Sequence, residues 1–195
     1  MARLILFNKP YGVVCQFSAV SGHCSLRDYI PLPEFYAAGR LDADSEGLVI
    51  LTDDGRVQNR ISHPKYKLPK TYWVQVEGIP TQMALRQLRR GVRIKDYTTR
   101  PAKADLMNMP ENLWPRTPPV RFRKQIPTAW ITLTIYEGKN RQVRRMTAAV
   151  GYPTLRLIRF AIGDFSLKDL ASGSWRLLHI NRPLNNLFET VTLSI

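Results

Sequence analysis

An α+β fold, with a mixed, mostly antiparallel central sheet flanked by short helices, follows from three features of this 195-residue chain. Segments with two-residue alternation, or short continuous apolar runs, outnumber segments with helical periodicity. No regular strand–helix–strand alternation of the kind that builds parallel sheets runs through the sequence. Glycine, proline and Asx turn signals break the strands at short intervals, and no internal repeat is present. The length suits one compact domain or two small lobes that share an interface.

The elements follow in order. Leu4–Phe7 reads as a buried first strand, stopped by Asn8-Lys9-Pro10. Ser25 is placed to cap a short helix through Leu26, Tyr29 and Ile30, which Pro31 and Pro33 end. Leu48–Leu51 is the next buried strand, turned by Asp53-Asp54-Gly55, and Val57–Ile61 fits one or two helical turns. Lys70–Val76 alternates with Tyr72, Val74 and Val76 on one face, so a half-buried strand is expected. Thr81 caps a helix that is expected to turn Met83, Leu85 and Leu88 inward and to end at Gly91. Strand-like pieces follow around residues 92–94 and 102–107. Residues 108–127, rich in proline and arginine, read as a surface insertion, either a flexible loop or an RNA-contacting arm. Residues 129–136 alternate again, and a helix is expected over Arg141–Val150 with Gly151 closing it. Strands are expected at 154–160 and 173–178. Residues 179–195 have weak periodicity and read as a tail of unknown role.

Charge narrows the partner. Lysine and arginine outnumber acids 29 to 15, for a net charge of +14, and such an excess suits a polyanion whose counterions are released on binding. No apolar run approaches the length of a membrane span. The N-terminus lacks the uninterrupted apolar core of a signal peptide. A cytoplasmic protein is expected. Cys15 and Cys24 are too few for a disulfide framework, and with His23 and His63 they match no zinc spacing.

In so basic a chain, the acids of Gly39–Leu48 (GRLDADSEGL) stand out. Asp42, Asp44 and Glu46, with Asp53 at the twelfth position, echo a calcium loop. The prolines before it and the strand-like run within it do not supply the two helices that loop needs. Asp42 and Asp44 are too close to flank a sugar as a glycosidase pair. A single carboxylate, kept ionised by an arginine, makes fewer demands. Capping of backbone amides is the plainer role for Asp44 and Ser45.

On a helical wheel of residues 141–150, Val143, Met146 and Val150 share one side. Arg141 and Arg145 lie opposite, and Arg144 sits on the flank. Either this is a solvated basic face, or it is a phosphate-binding ridge joined by Lys139, Arg156 and Arg159.

Four segments together resemble a known family: NKPYGVV, GRLDADSEGLVILTDDG, KTYWVQVEG and EGKNRQVRRM, in this order over about residues 4–178. They resemble the motifs of the RsuA-type pseudouridine synthases. The stretches LWPRTPPVRFRKQIPTAW and GYPTLRLIRFAIGD are similar to the RluE branch, which modifies large-subunit ribosomal RNA. The resemblance implies a catalytic domain over residues 1–178, in two sub-lobes with the active-site cleft between them. Relatives often carry an S4-type RNA-binding domain before the first motif, and none is expected here.

By the same resemblance, Asp42 is the catalytic aspartate and Arg144 its ion-pair partner. Tyr72 lies against the uracil and serves as a base, although its periodicity fits a core tyrosine equally well. Arg40 fills the space that the flipped uridine leaves. Lys139, Arg141 and Arg145 are expected RNA contacts, and Lys9 and Lys70 are expected as RNA phosphate contacts or as structural ones. Uridine would become pseudouridine in ribosomal RNA, with no cofactor, no metal and no membrane, on a monomer. A non-catalytic RNA-binding or assembly protein, or another base-modifying enzyme on the same fold, are the alternatives.

Overall fold

A computed structural model describes residues 2–95, 97–121 and 123–180. Along the chain run β1 (Ala2–Lys9), β2 (Tyr36–Ala37), β3 (Glu46–Thr52), α1 (Gly55–Ser62), β4 (Lys70–Glu77), α2 (Gln82–Arg90), β5 (Arg93–Ile94) and β6 (Tyr97–Thr98). β7 (Lys103–Met107), β8 (Thr128–Ile135), α3 (Gln142–Ala149), β9 (Thr154–Ile162), β10 (Phe165–Ser166) and β11 (Trp175–Ile180) complete the order. The chain divides into two compact units, residues 1–68 with 160–195, and residues 69–159. The α+β class with a mostly antiparallel sheet is thus the observed one.

In the first unit β1 lies between β3 and β11 and is antiparallel to both, with Leu6 opposite Ile50 and Ile5 opposite Leu177. Every residue of β3 is buried, which is why its sequence is a continuous apolar run rather than an alternating one. Each fully buried Leu or Ile there contributes about 1.5–3 kcal/mol relative to exposure. Ile5, Phe7, Leu26, Phe35, Leu41 and Val49 form the core of this unit. Leu41 therefore fastens the acidic loop from inside.

Local capping is legible here. Asp54 begins α1 by accepting from the backbone N–H groups of Arg56 and Val57, at 2.7 and 3.2 Å. Asp53 accepts from the backbone N–H of Arg3 at 2.9 Å and from its Nε at 2.5 Å. Both carboxylates at the far end of the calcium-like spacing are thus engaged by the fold. After Ser25 the expected helix shrinks to a single 3-10 turn over Leu26–Asp28. The prolines that follow leave no room for a second turn.

In the second unit β8 lies between β4 and β7, antiparallel to each, and β9 lies beside β4. Tyr72, Val74 and Val76 are buried, as the alternation predicts. With Leu85, Leu88, Leu133, Val143 and Met146 they form one core. Thr81 caps α2 by accepting from the N–H of Ala84. Gly91 ends the helix at φ 100°, and a side chain there would collide with the Thr99 carbonyl. α3 closes on a paired-bond cap: Gly151 N–H donates to the Ala148 carbonyl at 3.0 Å and Tyr152 N–H to that of Thr147 at 2.9 Å.

Three expectations are corrected. Met83 does not face inward: it is 66% exposed. Ala84, Leu85 and Leu88 bury the α2 stripe, and residue 83 falls on the opposite side of the wheel. The insertion at 108–127 has no regular element among its described residues, yet a free loop is not what it forms. Arg116 donates to the carbonyls of Pro118 and Pro119, at 2.8 and 2.9 Å, and reaches that of Leu155. Arg156 donates to the carbonyl of Trp114, and Arg123 pairs with Glu77 at 2.9 Å. The supposed tail begins late as well, because His179 and Ile180 still pair with Arg3 and Ala2. Residues 181–195, the remainder of that tail, lie outside the described residues. Among the described residues no helix is long and apolar enough to cross a membrane.

Candidate active site

In the first unit, the loop holding Asp42 is built by backbone contacts. The Asp42 carbonyl accepts from Ser45 N–H at 3.1 Å, and the Ala43 carbonyl accepts from Gly12 N–H at 2.8 Å. The second bond fastens the loop to the turn of the first motif, over thirty residues upstream. Gly39 enters the loop at φ 94°, a conformation that disfavours any residue with a Cβ. Arg40 is exposed, Leu41 is buried and Asp42 is half-buried. The chain thus drives one anchor into the core and leaves the carboxylate beside it partly accessible. Asp44 accepts from the Ser45 hydroxyl at 3.2 Å, which fits the loop-shaping role expected of it.

Of the two roles expected of Lys9, structural or phosphate contact, its surroundings favour the first. It is 0% exposed, and its ammonium donates to the carbonyls of Pro10 and Val13 at 2.9 and 2.8 Å. A buried ammonium must be hydrogen-bonded, and here it braces the turn whose Gly12 holds the Asp42 loop.

In the second unit, Tyr72 sits on β4 at 7% exposure, within the core. Lys70 begins the same strand and is half-buried. Burial, and then the positive charge of Arg159, push its pKa below the usual lysine range. The turn before α3 is held by side chains. Glu137 Oε1 accepts from Gln142 Nε2 at 2.6 Å and from the backbone N–H of Arg100 at 2.9 Å. Gln142 Oε1 accepts from Lys139 N–H at 3.0 Å. The Lys139 ammonium lies 3.5 Å from the centre of the Tyr97 ring. Arg145 donates to Asn140 Oδ1 at 3.1 Å. Arg141 takes a left-handed conformation at φ 51° and is exposed, while Arg144 and Arg145 are half-buried.

The candidate residues therefore fall into two sets. Lys9, Arg40 and Asp42 belong to the first unit. Lys70, Tyr72, Lys139, Arg141, Arg144 and Arg145 belong to the second, where Tyr72, Val143 and Met146 share one core. The motif reading passed over Glu137 and Gln142. A signal was present: on the wheel Gln142 lies one turn from Met146, on the inward face, and it is 3% exposed. A polar residue at an inward position needs a partner.

Comparison with known proteins adds the following. Residues 3–149 match the sequence family described as RNA pseudouridylate synthase. The chain is 56% identical over 174 residues to "Ribosomal large subunit pseudouridine synthase E" of Vibrio vulnificus, covering 89% of this chain and 74% of that protein. It is 57% identical over 170 residues to the protein of the same name from Xanthomonas axonopodis pv. citri, covering 86% and 90%. A solved structure described as a pseudouridylate synthase superposes with a TM-score of 0.74 at 30% identity, covering 92% of this chain and 71% of that one.

Proposed function

The chain belongs to the RNA pseudouridylate synthase family, and from that premise we propose that it converts a uridine of large-subunit ribosomal RNA into pseudouridine, with Asp42 as the carboxylate that starts the reaction. The relatives named for the large ribosomal subunit support the substrate. The net charge of +14 suits a phosphate-rich partner. The observation that carries Asp42 is its setting: a half-buried carboxylate, on a loop locked by backbone bonds from Gly12 and Ser45.

The reaction is an isomerisation. The C1′–N1 bond breaks, the uracil turns, C5 joins C1′, and the proton lost from C5 is balanced by one gained at N1. No electrons leave or enter, so the proposal assigns no cofactor. The target base must first leave its stack, at a cost of a few kcal/mol in order of magnitude. Arg40, exposed two residues before Asp42, is assigned to the vacated space. Arg144 is assigned to hold the Asp42 carboxylate ionised. Tyr72 lies against the base and takes the C5 proton. Lys139, Arg141 and Arg145 meet phosphates. The protein acts as a monomer in the cytoplasm, with its catalytic domain extending to Ile180 at the end of β11.

Unmodified small- and large-subunit ribosomal RNA, incubated with the protein and mapped by carbodiimide-dependent primer-extension stops, tests this reading. A new stop confined to the large-subunit RNA is expected. Absence of any stop, or a stop in the small-subunit RNA alone, overturns it.

A further inference from the structure

Residues 78–104 hold seven lysines and arginines against one acid, Asp96, a net +6 of the chain's +14. Helix-end electrostatics explains part of this, because Arg89 and Arg90 complement the negative end of α2. Arg89 is also used internally, donating to the Ala104 carbonyl at 2.8 Å and to Asp105 at 2.7 Å. Neither account covers Arg86 in the middle of the helix, nor Arg93 and Lys95 on the following hairpin, all of them exposed. An open groove of about 310 Å³ runs over α2, lined by Met83, Arg86, Gln87 and Arg90. An exposed methionine among guanidinium groups offers an apolar surface for a ribose or base face where the cations take phosphates.

Resting on the RNA substrate proposed above, we infer that the outward face of α2 and the β5–β6 hairpin form a second phosphate-binding surface, which holds RNA flanking the target nucleotide. Continuity supports this occupant. Tyr97, on β6, lies under the Lys139 ammonium at 3.5 Å, and the Arg100 N–H donates to Glu137 at 2.9 Å. The hairpin is therefore fixed to the turn that carries the expected phosphate contacts of α3. Its base is rigid as well: Val92 N–H donates to Thr99 Oγ1 at 3.0 Å, and Thr99 N–H to the Val92 carbonyl at 2.9 Å. Cations on a pre-ordered support bind with less entropic cost than cations on a free loop. Asp96 is the one acid among residues 78–104, so the excess charge of this stretch is complementary to a polyanion.

The test uses the full chain and two RNAs: a stem-loop cut closely around the mapped uridine, and the same stem-loop extended on both sides. Arg86→Glu/Arg90→Glu and Arg93→Glu/Lys95→Glu are compared with wild type, with Arg86→Gln/Arg90→Gln as a milder pair and melting temperature as the folding check. Each pair should weaken binding of the extended RNA about tenfold and make the slope of log affinity against log salt shallower by about two. Binding of the short RNA, and turnover of both RNAs at saturation, should stay within about twofold. An unchanged slope on the extended RNA overturns the proposal. So does an equal loss on both RNAs, which would place these arginines at the target itself. A variant that binds naked RNA normally but loses a ribosomal assembly intermediate would give this face to a protein partner and overturn it too. Wild-type turnover of the short RNA reports separately on the pseudouridine reading.

Discussion

The loop around Asp42 and the turn before α3 are tied to distant segments by different groups. Backbone bonds fasten the first, from Gly12 to Ala43 and from Ser45 to Asp42. These bonds are made by the backbone rather than by the side chains of Arg40 and Asp42. The second adds side chains to its own backbone bond from Gln142 N–H to the Lys139 carbonyl: Glu137, Gln142, Asn140 and the Lys139–Tyr97 contact tie it together. The contrast teaches where substitutions can be read as chemistry. In the loop, a changed side chain leaves both backbone bonds in place. In the turn, it reports on position and stability together.

Three substitutions press on that contrast and a fourth stands outside it, from the largest expected effect to the smallest. Asp42→Asn removes the proposed reactive group and keeps the backbone bonds from Gly12 and Ser45. Product formation should fall by roughly 10³-fold or more, with RNA affinity and melting temperature unchanged. Arg144→Ala should lower turnover at saturating RNA about 10²-fold, with a smaller change in affinity, measured by single-turnover kinetics and filter binding. A loss confined to affinity would reassign Arg144 to phosphate binding. Gln142→Ala removes one of the two donors given to Glu137, leaving that of Arg100, and takes away the acceptor of the Lys139 N–H. It should cost about 1–3 kcal/mol in urea unfolding and reduce turnover with it. Unchanged stability would remove Gln142 from the scaffold and break the comparison.

The smallest effect lies outside both regions, at Asp53. Burial alone would raise the pKa of its carboxyl, but the hydrogen bonds and charge of Arg3 outweigh it, and the net shift is downward. A depressed carboxyl stabilises the fold above its unfolded value, near ~3.9, and that stability is lost as pH falls through the lower folded value. Because Arg3 is 39% exposed at its side chain, the contribution should be no more than about 1 kcal/mol. Asp53→Asn should therefore lie below wild type in stability at neutral pH and converge with it under acid. Parallel curves through the acid range would contradict this.

Much of the architecture could be read from the sequence because local chemistry and packing agree there. The alternation of Tyr72, Val74 and Val76, the cap at Thr81 and the glycine at 151 each point to one conformation, and each is found. Where tertiary contacts decide, the sequence was a poorer guide. Lys9 looks like a surface cation until the carbonyls of Pro10 and Val13 enclose it. Met83 fits an apolar stripe by type, but Ala84 takes its place on the buried side. Arg116 reads as a surface charge, although its guanidinium organises the insertion through Pro118, Pro119 and Leu155. In the candidate site, motif spacing marked Asp42 and the α3 arginines. It gave no hint that Gly12 holds the Asp42 loop, since a hydrogen bond between distant segments leaves no periodic trace, whereas Gln142 left one as a polar residue on the inward side of the α3 wheel.

The central claim is that Asp42 acts chemically, on a loop that backbone bonds from Gly12 and Ser45 hold in place. Single-turnover assay of Asp42→Asn on the mapped RNA tests it most directly, with binding and melting temperature measured on the same preparation. The account predicts wild-type affinity, wild-type melting temperature and no pseudouridine within the time wild type takes to finish. Pseudouridine formed within about tenfold of the wild-type rate would contradict it.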